Sequence, residues 1–370
     1  MQDSQEHSTH DTHKPAFAFR RPLALTLGTS STLSASALRQ ERPGNIPWPI
    51  PDWPETPPEA VNIDPTLPDA LAAAAQAAPS ITGAVVIRHG AIAAEYVADG
   101  WSRDEPADIR SCTKSVVAAL VGTARREGLL PDLSVTIGDL IPDRIPANAD
   151  SRIADIPLWG LLTMTAGIAW DWSSDYQRLE AADDPVAYTL NQPIAAEPGA
   201  VYAYNSGGSH LIGLMVAAAA GQPLEEYADE ALFAPLDMEP GIWRLSPQGE
   251  AIGGYGLRLT PRDMARFGYL YLQDGVWDGE EIITPAYIEQ STIRQSSGDP
   301  TGGTPYGYQW WVSNATGYDA FYALGFGGQF IYVVPALDLI VVTAVGDITV
   351  PLFPPRPIIE SSVIPLVYPD

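Results

Sequence analysis

A chain of 370 residues with 20 basic and 45 acidic side chains carries a formal charge of −25. That balance excludes the basic face a nucleic-acid binder needs and disfavours docking on an anionic membrane, but does not by itself identify a function. The single cysteine, Cys112, rules out an intrachain disulfide, and a hydrophobic content of 46% suits a large globular domain.

Residues 1–37 read as an export signal or a disordered tail. Arg20-Arg21 precede a mildly apolar segment, Leu23 to Leu33, and Ser34-Ala35-Ser36-Ala37 resembles a small-residue cleavage site. A twin-arginine signal has this arrangement and would export the protein; a tail would leave it cytoplasmic. His7, His10 and His13 form a polar tract there rather than a metal site, and no metal or cofactor is expected. Residues 38–68 form a proline-rich, extended lead-in. No apolar run reaches membrane-spanning length.

A helix over about Leu67–Ala78 comes next, then a hairpin of Gly83–Ile87 and Ile92–Val97 around His89-Gly90. Residues 111–126, SCTKSVVAALVGTARR, are apolar nearly all round and read as a central buried helix. Lysine is otherwise almost absent: Lys14 in the tail and Lys114 in this helix are the only two. Arginine cannot give up its proton, whereas a desolvated lysine can. Ser111 opens the helix with Lys114 one turn later on the same face, so a hydroxyl near the positive end of the helix dipole meets an amine able to take its proton. Cys112 reads as a small core hydrophobe, because its offset from Lys114 points it elsewhere.

Further helices are expected over Leu158–Thr165, Ser209–Ala220, Leu224–Phe233 and Pro261–Gln273, the last opened by a threonine cap and proline. Before Ser209, Tyr204-Asn205-Ser206-Gly207-Gly208 brings a phenol and a hydroxyl to a helix start. Strands return at Phe321–Leu324, Gln329–Val334 and Leu339–Val345. The link Gly325-Phe326-Gly327-Gly328 has more glycine than a hairpin needs, which allows a ligand close to the backbone. Strands early and late with helices between predict an α/β (α+β) fold with one antiparallel sheet built from both chain ends. In this reading residues 69–370 form one domain, with a sheet lobe from 69–110 plus 293–370 and an inserted helical lobe from 111–292.

These elements resemble the serine β-lactamase and penicillin-binding-protein superfamily, in the branch with class C β-lactamases, esterases and 6-aminohexanoate-dimer hydrolase. The matching stretches are RSCTKSVVAALVG, LLTMTAGIAW, YNSGGSHLIG, GLRLTPRDMARFGYLYL and GFGGQFIYVVP, in the family's order. The resemblance implies a β-lactamase/transpeptidase-like fold with Ser111 as acyl-accepting nucleophile. Lys114 and Tyr204 would share the proton work, with the base left open between them. The oxyanion hole would be the backbone N–H groups of Ser111 and of Phe326, which follows Gly325.

Two positions depart from the β-lactamase pattern. Ala323 stands where those enzymes carry a substrate-binding lysine, and Ser206 stands where they carry asparagine. Both departures point to an uncharged or zwitterionic ester or short linear amide rather than a β-lactam. β-Lactamase, D,D-peptidase and an inert penicillin-binding-like scaffold remain as alternatives. Trp170, Trp172 and Tyr176 are candidate pocket walls, with core packing expected for at least one. A Ser-His-Asp hydrolase is disfavoured, because no G-x-S-x-G elbow is present. The sequence does not set the oligomeric state.

Overall fold

β-Branched and aromatic residues from the two ends of the chain build one sheet. The computed structural model describes residues 48–298, 303–346 and 355–370, so the segment 1–37 lies outside the described residues. The N-terminal side supplies β1 (Ile81–Arg88) and β2 (Ala91–Val97). The C-terminal side supplies β3 (Trp311–Ser313), β4 (Ala320–Gly325), β5 (Gln329–Val334) and β6 (Leu339–Val345). Their order is β2-β1-β6-β5-β4-β3, antiparallel throughout. The two ends meet at the sheet centre, where Val85 pairs with Val342 and Arg88 with Leu339. The fold is therefore the mixed α/β architecture expected, with β3 as an edge strand that the sequence reading did not include.

Alternation along the strands divides the interior in two. Val85, Ile87, Ile331, Val333, Ile340 and Val342 join the larger core. That core also holds α2 (Thr113–Arg126), α3 (Ser206–Ala220) and α4 (Pro261–Leu272). Ala84, Val86, Tyr332, Val334, Leu339 and Val341 face the other way, onto α1 (Leu67–Gln76) and the C-terminal residues 359–367. α4 packs directly on β1, β5 and β6. The described part of the lead-in is anchored by buried Trp53, whose indole N–H donates to the Arg262 carbonyl at 3.1 Å.

Three of the boundaries that differ from the expectation lie at the candidate site. α3 starts at Ser206 rather than Ser209, because Asn205 is its N-cap and accepts the Gly208 N–H at 2.8 Å. The Gly207-Gly208 pair is thus the first turn of the helix and not a loop. The helix expected over Leu158–Thr165 stops at Leu162, since Met164 takes a left-handed φ of 59°. The segment at Ser111 enters α2 through a 3₁₀ turn, Arg110–Cys112. Helices Trp172–Glu180, Pro185–Leu190 and Pro285–Thr292 were not anticipated.

Candidate active site

α2 is wrapped by core on all sides, and Val116 to Val121 have no exposed surface. A charged group there is expensive unless it is bonded or neutralised. Lys114 is the exception in this helix, with only 1% of its surface exposed. Its Nζ lies 3.0 Å from Ser111 Oγ, 3.1 Å from Ser206 Oγ and 2.5 Å from the Gly254 carbonyl oxygen. Three oxygens suit both protonation states. An ammonium donates to all three; a neutral amine donates to Gly254 and Ser206 and keeps its lone pair for the Ser111 hydroxyl proton. Burial pushes the Lys114 amine down to about 7, with neighbouring Cys112 opposing weakly. The Cys112 thiol is itself pushed far up by burial and rests near the Gln329 carbonyl at 3.6 Å, so it stays an unreactive thiol.

Tyr204 is brought in by the turn that ends the Leu158–Leu162 helix. The Met164 carbonyl accepts the Ala203 N–H at 2.8 Å, the Thr165 carbonyl accepts the Gly199 N–H at 2.8 Å, and Met164 Sδ accepts the Asn205 N–H at 3.2 Å. Pinned on both sides, the Tyr204 ring centroid sits 5.0 Å from Lys114 Nζ, and its hydroxyl approaches Ser111. Burial raises the phenol well above its ordinary value, against a smaller opposing effect of Ser111. At neutral pH the phenol therefore keeps its proton, while the amine is poised to lose one.

The third segment closes against the same turn. β4 ends beside Arg110–Cys112. A Cβ at Gly325 would lie 2.4 Å from the Ile109 carbonyl oxygen and 2.7 Å from Gln329 Cβ, so only glycine lets the strand approach Ser111 this closely. The Phe326 ring is 53% exposed, which leaves its backbone as the part that turns past the site. Ala323 is buried in the core and brings no cation.

Ser111, Lys114 and Tyr204 thus converge, with Gly325 alongside. Ser206 is fully buried with its hydroxyl on Lys114, so it touches the amine rather than opening towards the cleft. Trp170 packs edge-on against Tyr188 at 6.0 Å, in a cluster with Leu179, Ile252 and Tyr255. Tyr176 pairs with Tyr255 at 5.3 Å, whereas Trp172 is exposed. Trp170 and Tyr176 are half-buried and pack against this small cluster.

Sequence reasoning missed Gly254. A Cβ there would lie 2.5 Å from the Ser206 carbonyl oxygen, and its own carbonyl is the shortest contact of Lys114. The neighbouring Gly253 N–H donates to His210 Nδ1 at 3.3 Å, and burial pushes His210 down to about 4, which keeps the ring neutral and able to accept. The Gly253-Gly254 pair was the available signal.

The Beta-lactamase family profile matches residues 69–345. The chain belongs to the beta-lactamase family of serine hydrolases. This family member is 23% identical over 291 residues to 6-aminohexanoate-dimer hydrolase of Paenarthrobacter ureafaciens, covering 70% of each chain. It is 26% identical over 251 residues to penicillin-binding protein 4 of Amycolatopsis lactamdurans, covering 56% of this chain and 64% of that one. A solved structure from Bacillus anthracis, provisionally described as a 6-aminohexanoate-dimer hydrolase, superposes with a TM-score of 0.64 at 23% identity. That superposition covers 72% of this chain and 74% of the other. Among the described residues of the beta-lactamase-family chain, no cluster of His, Cys, Asp and Glu could hold a metal, and no helix is long and apolar enough to cross a membrane.

If the Phe326 N–H is the oxyanion donor that the resemblance implies, Gly325→Ala is expected to lower kcat/KM at least about a hundredfold, with the far-ultraviolet circular dichroism unchanged. Activity within threefold of the parent would show that the approach of β4 does not matter to the site.

Proposed function

We propose that this protein hydrolyses a carboxylic ester or short linear amide through an acyl-enzyme on Ser111. The observation that carries the reading is a buried amine, poised near neutrality, 3.0 Å from a serine hydroxyl. Lys114 takes the Ser111 proton as Oγ bonds to the substrate carbonyl carbon, and the carbonyl oxygen becomes an oxyanion facing the N–H groups of Ser111 and Phe326. As the carbonyl reforms, the bond to the leaving group breaks. That group receives a proton passed from Lys114 through the Tyr204 phenol, which stays protonated between transfers. Water then attacks the acyl-enzyme with the same groups working in reverse. Lys114 is the base in this scheme, because its amine gives up a proton far more readily than the buried phenol.

The substrate class follows from what is missing. With Ala323 in place of a cation, and Ser206 turned onto Lys114, the site lacks two groups that the resemblance assigns to β-lactam binding. Likeness to the 6-aminohexanoate-dimer hydrolase supports a linear amide. Likeness to the penicillin-binding protein keeps β-lactam or D,D-peptide chemistry as the second reading.

A fluorophosphonate probe should label Ser111 and fail to label Ser111→Ala; absence of labelling in the parent would make the protein an inert scaffold. A panel of p-nitrophenyl butyrate, a short linear amide and nitrocefin then separates the substrate readings. Preference for nitrocefin would overturn the argument from Ala323.

A further inference from the structure

Tyr204 lies in coil, one residue before the cap of α3, so no helix or strand fixes the direction of its ring. Its backbone is anchored by Met164, but a phenol that must carry a proton to and from Ser111 also needs its side-chain torsions held. The structure points to the sheet edge as the source of that restraint.

Trp311 is the first residue of β3 and pairs with Tyr322 of β4, the strand that ends beside the Ser111 turn. Its indole stacks on the Tyr204 ring at 5.8 Å between centroids and 24° between planes. Tyr306 meets both rings edge-on, at 4.8 Å from Trp311 and 6.3 Å from Tyr204. Tyr306 is fully buried, and its backbone bridges Ser296 on one side and Trp311 on the other. Tyr202 closes the group at 5.7 Å from Tyr306. Stacked and edge-to-face arrangements resist rotation of either partner, because turning one ring loses contact with two others. The Tyr204 ring is therefore held between Lys114, Trp311 and Tyr306, and Trp311 is half-buried on a strand that belongs to the other part of the fold.

We infer that Trp311 is a positioning residue, which holds the Tyr204 phenol in line with Ser111 from the edge of the sheet. The inference rests on the proton-carrying role proposed above for Tyr204. It gives β3, a strand of three residues, a function beyond extending the sheet.

The test is a double-mutant cycle on the panel substrate that the parent turns over fastest. Trp311→Leu should lower kcat about tenfold or more with KM within about threefold, and Trp311→Phe, which keeps a stacking ring, should recover most of the loss. In the Tyr204→Phe background, where the ring remains but its hydroxyl is gone, adding Trp311→Leu should cost less than about twofold. Equal losses in the two backgrounds, or Trp311→Leu activity within twofold of the parent, would overturn the inference and leave the proposed reaction standing. A Tyr204→Phe protein as active as the parent, or a parent inert on the whole panel, would remove the proposed role of Tyr204 and this inference with it. Trp311→Thr, also suited to a strand, serves the same cycle should the leucine variant not fold.

Discussion

Lys114→Arg is expected to reduce turnover at Ser111 by at least about a thousandfold, because a guanidinium cannot be the neutral acceptor of the serine proton. The parent should reveal the same group in its pH profile. Lys114 accepts a proton only when neutral, and its amine is held at about 7. The kcat/KM for an uncharged ester should therefore fall tenfold per unit below about pH 7 and level off above it. The Tyr204 phenol, raised by burial, should add no second limb on the plateau through the neutral range. Initial rates from pH 5 to 9, with Lys114→Met as a second variant lacking any base, measure this. A plateau extending unchanged down to pH 5, or an arginine variant within tenfold of the parent, would exclude the amine from the mechanism.

The second large effect concerns stability and has the opposite sign. An unfolded chain exposes Lys114 with its ordinary value of 10.5, whereas the folded protein holds it near 7. Between these values the unfolded state binds a proton that the folded state does not. The parent thus gains stability with rising pH from this group, by about 1.4 kcal/mol per unit. Above 10.5 the amine costs nothing, and below 7 the full penalty of up to about 5 kcal/mol is present and constant. Lys114→Met escapes the penalty, although it leaves the Gly254 carbonyl and Ser206 hydroxyl without this partner, at about 1–3 kcal/mol each. Denaturant unfolding should therefore show the methionine variant gaining most on the parent at and below pH 7. That advantage should shrink by about 3 kcal/mol on going to pH 9. The charge of −25 acts on both proteins alike and drops out of the comparison. A stability difference that does not change with pH would mean that the amine is not desolvated in the folded state. The proposed role of Lys114 as base and the stability of the fold thus pull against each other at this residue.

Elements with a strong apolar period were legible along the chain. β5 and β6 lie at the expected residues, and α1 and α4 differ from expectation only at their last turns. Three of the unanticipated helices are short, and their signals were caps: Asp171, Asp184 and Thr284 each accept backbone N–H groups at the start of one. β3 is three half-buried residues, too short for a period of two to register.

At the candidate site, the proximity of two groups was readable where they lay within one helical turn. Ser111 and Lys114 are three residues apart, and the near absence of lysine elsewhere marks the pair. What folding alone decided is the company that amine keeps. Ser206 and Gly254 reach it from 92 and 140 residues away, and their contacts carry no local pattern because a carbonyl or hydroxyl looks the same in any loop. The Trp311–Tyr204 stack is likewise a product of the sheet edge meeting a coil. Residue types and spacing placed a hydroxyl and an amine within one turn; packing decided that the lysine would be stripped of water, which is what the proposed role as base requires.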